Sequence, residues 1–210
     1  MSDRGIVVEK AANYIMDYGL KSLRMDDLAQ QLAMSKRTLY EMFSDKEQLI
    51  YESLCFLHEA EHMRVREKVH TYNNHLAALF DGFLIMTEKS HVHKRITQNL
   101  QKFYPALYEK VQTEFEKKSF EDLRRLLRNY IDEGLIKSEI NIELAVVTFH
   151  FTAHGIISSS KLSLPEGVTE KEALFYAIVN FFRGLATLRG VEQIDQYMKN
   201  KNEILYKIDR

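Results

Sequence analysis

Apolar residues recur three and four positions apart from one end of this chain to the other, and strict alternation bounded by turn residues is hard to find. That spacing is the period of a helix with one buried face. Little in the sequence interrupts it. Only 8 Gly and 2 Pro occur among 210 residues, while Leu, Lys, Glu and Ala are plentiful, so the backbone has few places to break. The fold class this implies is all-α. Hydrophobic residues at 45% and charged residues at 28% allow a real core and exclude the composition of a disordered chain. The length exceeds the commonest single-domain size, so one small and one larger domain are expected.

The lone Cys55 cannot close an internal disulfide, and residues 1–20 hold no continuous apolar stretch of signal-peptide type, from which a cytoplasmic location is expected. No apolar run approaches the roughly 18 residues a spanning helix needs, so no membrane partner is expected. With a formal net charge of −1, attraction for a polyanion must come from a local patch.

Periodicity and stop signals place helices at about 4–18, 25–32, 36–43 and 44–69. The first turns Val8, Ala11, Ala12, Ile15 and Met16 inward and is stopped by Gly19. The fourth opens at "SDKE", where Ser44 and Glu47 have capping-box spacing. Longer helices richer in aromatic residues follow near 73–88, 92–101, 106–133, 142–160, 169–189 and 192–207. Pro105 suits a first helical turn, Thr169 and Glu172 form another capping box, and "KLSLPEGV" (161–168) is the clearest loop. No fixed-period repeat or low-complexity tract is present.

The segment "MDDLAQQLAMSKRTLYEMF" (25–43) reads as two short helices joined by a tight turn, a helix-turn-helix. Asp26 and Asp27 favour the positive end of the first helix dipole, Leu28, Ala29 and Leu32 face inward, and Leu39 with Phe43 pins the second helix to the same core. Ser35 caps the second helix, which opens with Lys36, Arg37 and Thr38. From Leu28 to Tyr40 the only charges are those two cations, in a chain slightly acidic as a whole. Opening residues of a recognition helix reach base edges in the major groove, where Arg or Lys pairs with guanine. Tyr40 and Lys46 would flank the groove on phosphates, Lys46 aided by the free N–H groups of the long helix. The candidate DNA contacts are Arg24, Met34, Ser35, Lys36, Arg37, Thr38, Tyr40 and Lys46.

These residues resemble the tetracycline-repressor (TetR) family of bacterial transcription regulators. The family signature approximates to "hAxxxGVSxGTLYxYF/HFxxKxxL", with h apolar, and this chain reads "LAQQLAMSKRTLYEMFSDKEQL". Ser35, Thr38, Leu39, Tyr40, Phe43, Lys46 and Leu49 carry the match, which covers residues 5–55 firmly and the remainder only in its layout. The resemblance implies a helix-turn-helix domain at 1–48 and a helical effector-binding and dimerisation domain at 49–210. It also implies a homodimer on a palindromic double-stranded DNA operator, repression released by a small-molecule effector, and transmission through the fourth helix. Four positions depart from the pattern. Ala33 stands where Gly is common, at a cost of ~1 kcal/mol if the backbone there is left-handed. Arg37 replaces a common Gly, Met42 replaces a His or Tyr, and Arg24 stands where Thr or Ser usually caps the second helix.

"HEAEH" (58–62) fits the zinc-protease pattern H-E-x-x-H, with His58 and His62 one turn apart and Glu59 placed as a base. The residues that follow, "MRVREKVH", lack the spacing of the extended motif, although Cys55, His58 and His62 do share one helix face. The reading taken is a partly exposed, pH-responsive helix face, with no metal, no cofactor and no enzyme activity. A metal-dependent hydrolase and a helical protein–protein module are the rivals. All 8 His follow residue 55, two pairs being His91/His93 and His150/His154, and aromatic residues are dense in the same region. The candidate effector contacts are Phe83, His91, Phe103, Tyr104, Tyr108, Phe115, His150 and His154. Small residues (Ala153, Gly155, Ser158, Ala177, Gly184, Ala186) lie among large apolar ones in "VTFHFTAHGIISSS" and "ALFYAIVNFFRGLATL". They suggest a twofold four-helix interface between copies, with an internal helix pair as the alternative.

Overall fold

The computed structural model describes residues 3–158 and 164–208, with side chains from 3 to 156 and from 164 to 201. Ten α-helices run through the described residues: α1 (Asp3–Tyr18), α2 (Met25–Gln31), α3 (Lys36–Met42), α4 (Lys46–Val69), α5 (His75–Thr87), α6 (Ser90–Phe103), α7 (Pro105–Asp132), α8 (Ile142–Ser158), α9 (Glu170–Leu185) and α10 (Leu188–Ile208). A 3-10 turn, Leu20–Ser22, follows α1. Among the described residues the only β pairing is one isolated antiparallel bridge, Ile136 with Ala186. The fold class is all-α. Residues 161–163 of the expected loop and the side chain of Ser158 lie outside the described residues.

Two compact units make up the chain: Met1–Glu67 with Glu88–Phe115, and Lys68–Thr87 with Glu116–Arg210. In the first, Val7, Ala11 and Ile15 of α1 share one core with Leu28 and Ala29 of α2, with Leu39 of α3 and with Phe43 just after it. Leu49 and Ile50 of α4, Ile96 and Leu100 of α6, and Leu107 and Val111 of α7 complete it. Each fully buried Leu or Phe stabilises the unit by about 1.5–3 kcal/mol before entropy is counted. Gly19 ends α1 at φ 82, ψ 165, a backbone region that is essentially glycine's alone. Its N–H donates to the Ile15 carbonyl at 2.9 Å, Arg95 of α6 donates to the Met16 carbonyl at 2.8 Å, and the Ser22 hydroxyl donates to the Tyr18 carbonyl at 3.1 Å, so most of the open end of α1 is satisfied.

The long helix begins one residue later than the Ser44/Glu47 spacing suggests. Asp45 Oδ1 accepts the N–H of Gln48 at 2.8 Å, and Gln48 Oε1 turns back to accept the N–H of Ser44 at 2.8 Å. A carboxylate at the helix N-terminus is the better acceptor there because it also meets the positive end of the dipole. Pro105 opens α7, and the Thr169/Glu172 capping box opens α9, as the sequence suggests.

In the second unit the core gathers Leu76 and Phe80 of α5, Leu127 of α7, Val146 of α8, Ile178 and Phe182 of α9, and Ile194 of α10. The Phe80 ring meets those of Phe182 and Tyr197 at centroid distances of 6.2 and 5.4 Å. Half-buried Asp81 accepts hydrogen bonds from Tyr197 (2.6 Å), Lys201 (3.0 Å) and Tyr72 (3.0 Å), tying α5 to α10. Helix α7 ends in a Schellman motif: Gly134, at φ 68, donates to the Ile131 carbonyl and Leu135 donates to the Tyr130 carbonyl.

The expected helix over 169–189 is two elements. It stops at Leu185, because Ala186 is drawn into the bridge with Ile136, and Thr187 then caps α10 by accepting the Gly190 N–H at 3.2 Å. Gly190 has no room for more than hydrogen, since an added Cβ would sit 2.2 Å from the Leu135 carbonyl oxygen.

Candidate nucleic-acid interface

The turn between α2 and α3 is also a Schellman closure. Ala33 donates to the Gln30 carbonyl at 3.1 Å, Met34 to the Ala29 carbonyl at 3.0 Å, and Ala33 itself sits at φ 50. The turn is therefore left-handed where this chain has Ala. Met34, next to it, is half-buried against the core. Ser35 then caps α3: its Oγ accepts the Thr38 N–H at 3.0 Å and lies 2.7 Å from Thr38 Oγ1. Leu39 and Phe43 are fully buried, while Lys36 and Arg37 on the opening turn of α3, and Tyr40, are exposed.

Both expected readers already have carboxylate partners. Lys36 Nζ lies 2.7 Å from Asp26 at the start of α2, and that hydrogen bond, with the charge of Asp26, holds the ammonium above its ordinary pKa. Arg37 Nε donates to Glu41 one turn along α3 at 2.8 Å. Exposed pairs of this kind contribute little to stability. While closed, they hold the two cations in defined positions. Asp26 thus does more than favour a helix dipole, and nothing in the sequence spacing signals its partner ten residues on.

Around α3 the other candidates are arranged differently. Arg24 precedes α2 in extended conformation, exposed, and supplies no side-chain cap, so the capping oxygen is missing as the sequence suggests. Tyr40 is exposed. Lys46, in the first turn of α4, is half-buried with its ammonium 5.8 Å from the Tyr104 ring centroid. Sequence reasoning misses Arg4. Its guanidinium donates to both Glu52 carboxylate oxygens, at 3.0 Å for Nε, and to the Met42 carbonyl at the end of α3, and it lies 4.3 Å from the Phe43 ring centroid. One side chain therefore joins α1, α3 and α4, with its charge at the negative end of the recognition helix. The only local signal is a cation in a first helical turn, where an acid would be favoured.

The candidate effector residues divide between the units. In the first, Tyr104, Tyr108 and Phe115 pack against the core, His91 is exposed, and Phe103 is an exposed ring at the end of α6. In the second, Phe83 and Phe149 pair at 5.5 Å, and His150 meets Phe120 edge-on at 4.8 Å, stacks on His154 at 5.9 Å and has its Nε2 2.9 Å from a Glu116 carboxylate oxygen. A gap of about 10 Å³ separates α8 from α9 there, barely a water's worth. An open polar cleft of about 320 Å³, lined by Asn73, His75, Glu133, Leu135, Arg189 and Gln193, lies elsewhere in the same unit.

His58 and His62 have ring centroids 4.5 Å apart, and His58 also packs on Phe115 at 4.3 Å. Among the described residues no group of three His, Cys, Asp or Glu is placed to hold a metal, and no helix is long and apolar enough to cross a membrane. Leu144 (64%), Phe151 (71%), Tyr176 (71%) and Leu188 (85%) expose large apolar side chains, and a Cβ added at Gly155 or Gly184 would meet nothing within 4 Å. Ala177 instead lines the gap inside the unit.

Residues 7–52 match the family described as bacterial regulatory proteins, tetR family. No curated protein matches the chain. Among solved structures it is similar in fold to a transcriptional regulator from Cytophaga hutchinsonii ATCC 33406 (TM-score 0.67, 16% identity, 87% of this chain and 98% of that one). A putative TetR-family regulator from Rhodococcus sp. (TM-score 0.62, 16% identity, 85% and 97%) is also similar. So is a putative regulator from Saccharomonospora viridis in complex with choline (TM-score 0.61, 14% identity, 88% and 97%).

Proposed function

We propose, for a chain that belongs through residues 7–52 to the tetR family of bacterial regulatory proteins, that it is a homodimeric, sequence-specific DNA-binding repressor released by a small-molecule effector. The observation that carries this reading is the Ser35-capped α3, pinned by Leu39 and Phe43 so that Lys36, Arg37 and Tyr40 face solvent together. A rigid short helix with cations on its opening turn fits the major groove, and its acceptor-bound cations would exchange carboxylate for DNA. Residues 1–48 are assigned to DNA reading and 49–210 to effector binding and dimerisation. The protein acts in the cytoplasm and has no catalytic role.

Dimerisation is supported by the uncovered apolar side chains Leu144, Phe151 and Tyr176 beside open Gly155 and Gly184 on α8 and α9. A second copy would cover that face and place a second recognition helix on the other half of a palindrome. Effector contact is assigned to Phe83, His150 and His154 in the second unit. The choline complex of the similar Saccharomonospora viridis regulator supports a fold of this kind taking up a small molecule. Release is linkage: an effector that favours the non-binding conformer by a typical 1–3 kcal/mol lowers operator affinity about 5- to 150-fold.

Fluorescence anisotropy on duplexes selected from a random pool tests the reading. Arg37→Ala should weaken the selected site roughly 5- to 150-fold and relax preference at one position. Lys46→Ala should weaken all sequences alike; a sequence-selective loss would contradict its phosphate role. Sedimentation should find a dimer that Phe151→Glu dissociates, and a monomeric wild type would end the dimer reading.

A further inference from the structure

We infer that the corner between α6 and α7, together with Lys21, is a second anion-binding surface that grips the DNA backbone outside the stretch read by α3. This rests on the DNA-binding reading and extends it to residues far from the helix-turn-helix in sequence. Phe103, the last residue of α6, is 42% exposed. The exposed ammonium groups of Lys21 and Lys102 lie 5.7 and 5.4 Å from its ring centroid, within the range over which an aromatic face holds a cation. The next residue, Tyr104, holds the ammonium of Lys46 at 5.8 Å.

Charge decides what these cations face. Lys36 and Arg37 each have a carboxylate partner, whereas among the described residues Lys21, Lys46 and Lys102 have none within salt-bridge distance. Three ammonium groups without a carboxylate partner, gathered on two neighbouring rings, form a basic patch, and regularly spaced phosphates are the anion such a patch fits. The corner is also placed for it. Lys21 stands three residues before Arg24 and Lys46 opens α4, so proposed DNA-contacting segments lie on both sides. Nor is the corner a loose appendage. Ile96, Leu100, Leu107 and Val111 on its two arms are buried in the same core as Leu39 and Phe43, and Arg95 bonds the end of α1. The three aromatic and basic side chains therefore move with the recognition helix.

The test measures binding of the full chain, against salt, to a selected duplex extended by about one helical turn (~10 bp) at each end and to the same duplex trimmed. Lys21→Gln combined with Lys102→Gln should weaken binding to the extended duplex, with a salt slope shallower by ~0.9 for each phosphate no longer neutralised. Preference for the selected over a scrambled sequence should be unchanged, and affinity for the trimmed duplex should equal the wild type's. Phe103→Leu, which keeps both charges but loses the ring, should show a smaller loss in the same direction. Equal slopes for variant and wild type on the extended duplex, with wild-type selectivity intact, overturn this inference alone. Loss of sequence preference in the lysine variant also overturns it, as does an equal loss on the trimmed duplex. Absence of selective binding by the wild type overturns it together with the proposed function.

Discussion

Replacing Ala33 by Gly should make the protein more stable. At φ 50 the Ala33 Cβ crowds the neighbouring carbonyl, and an L residue there costs about 1–2 kcal/mol. Glycine removes that crowding but gives the unfolded chain about 0.5–1 kcal/mol more backbone entropy to lose. Ala33 is exposed, so no apolar burial is forfeited. The balance favours the variant by up to about 1.5 kcal/mol, which for a chain of this size raises the thermal midpoint by as much as roughly 3–6 °C. Urea unfolding at a fixed protein concentration should show a higher midpoint at unchanged slope. DNA affinity should stay the same, because the backbone bonds of the turn and the Ser35 cap involve no Ala33 side chain. The mirror substitution Gly19→Ala, at φ 82, should destabilise by more than Ala33→Gly stabilises. A lowered midpoint for Ala33→Gly would refute the left-handed turn between α2 and α3.

Arg4→Ala removes the ion pair to Glu52, the bond to the Met42 carbonyl and the packing on Phe43, and should cost about 1–2 kcal/mol after allowance for partial exposure. Chemical denaturation would measure it, and Arg4→Lys should recover only part of the loss. Gly190→Ala should cost about 1–3 kcal/mol or more, since backbone rather than a flexible side chain blocks the new Cβ; a thermal midpoint equal to wild type would contradict the close approach. Burial alone would raise the Asp81 pKa, but hydrogen bonds from Tyr197, Lys201 and Tyr72 outweigh it and hold the carboxyl below its ordinary 3.8. A depressed folded value gives stability that is complete above 3.8 and lost as pH falls through the lower folded value. The stability difference between wild type and Asp81→Asn should therefore be constant from neutral pH to about pH 4 and shrink below it; a constant difference through that range would contradict the network.

What the sequence made legible was local. Ser35, Gly19, Pro105 and the Thr169/Glu172 box each act within four residues of chain, and each lies where spacing places it. The Ser44/Glu47 box failed because Asp45 and Gln48, one position on, form a stronger version of the same local device. The break between α9 and α10 was hidden because it depends on Ile136, fifty residues away along the chain, bridging to Ala186. In the candidate site the outward residues of α3 could be read from the inward ones. Their carboxylate partners could be read only in part: Glu41 is an ordinary i, i+4 neighbour of Arg37, whereas Asp26 reaches Lys36 from another helix. The Arg4 clamp joins residues 38 and 48 positions apart, and the burial of Ile96, Leu100, Leu107 and Val111 with the reading motif is longer-range still. Periodicity says which face of each helix is buried and does not say against what.

The most direct measurement is selection of bound duplexes from a fully random pool at near-physiological ionic strength, followed by sequencing. If two capped α3 helices read DNA in duplicate, the recovered sites will share a palindrome whose half-sites lie one helical turn (~10–10.5 bp) or a multiple of it apart. A pool that returns no shared palindrome, or one that Arg37→Ala enriches as strongly as the wild type does, would contradict the account.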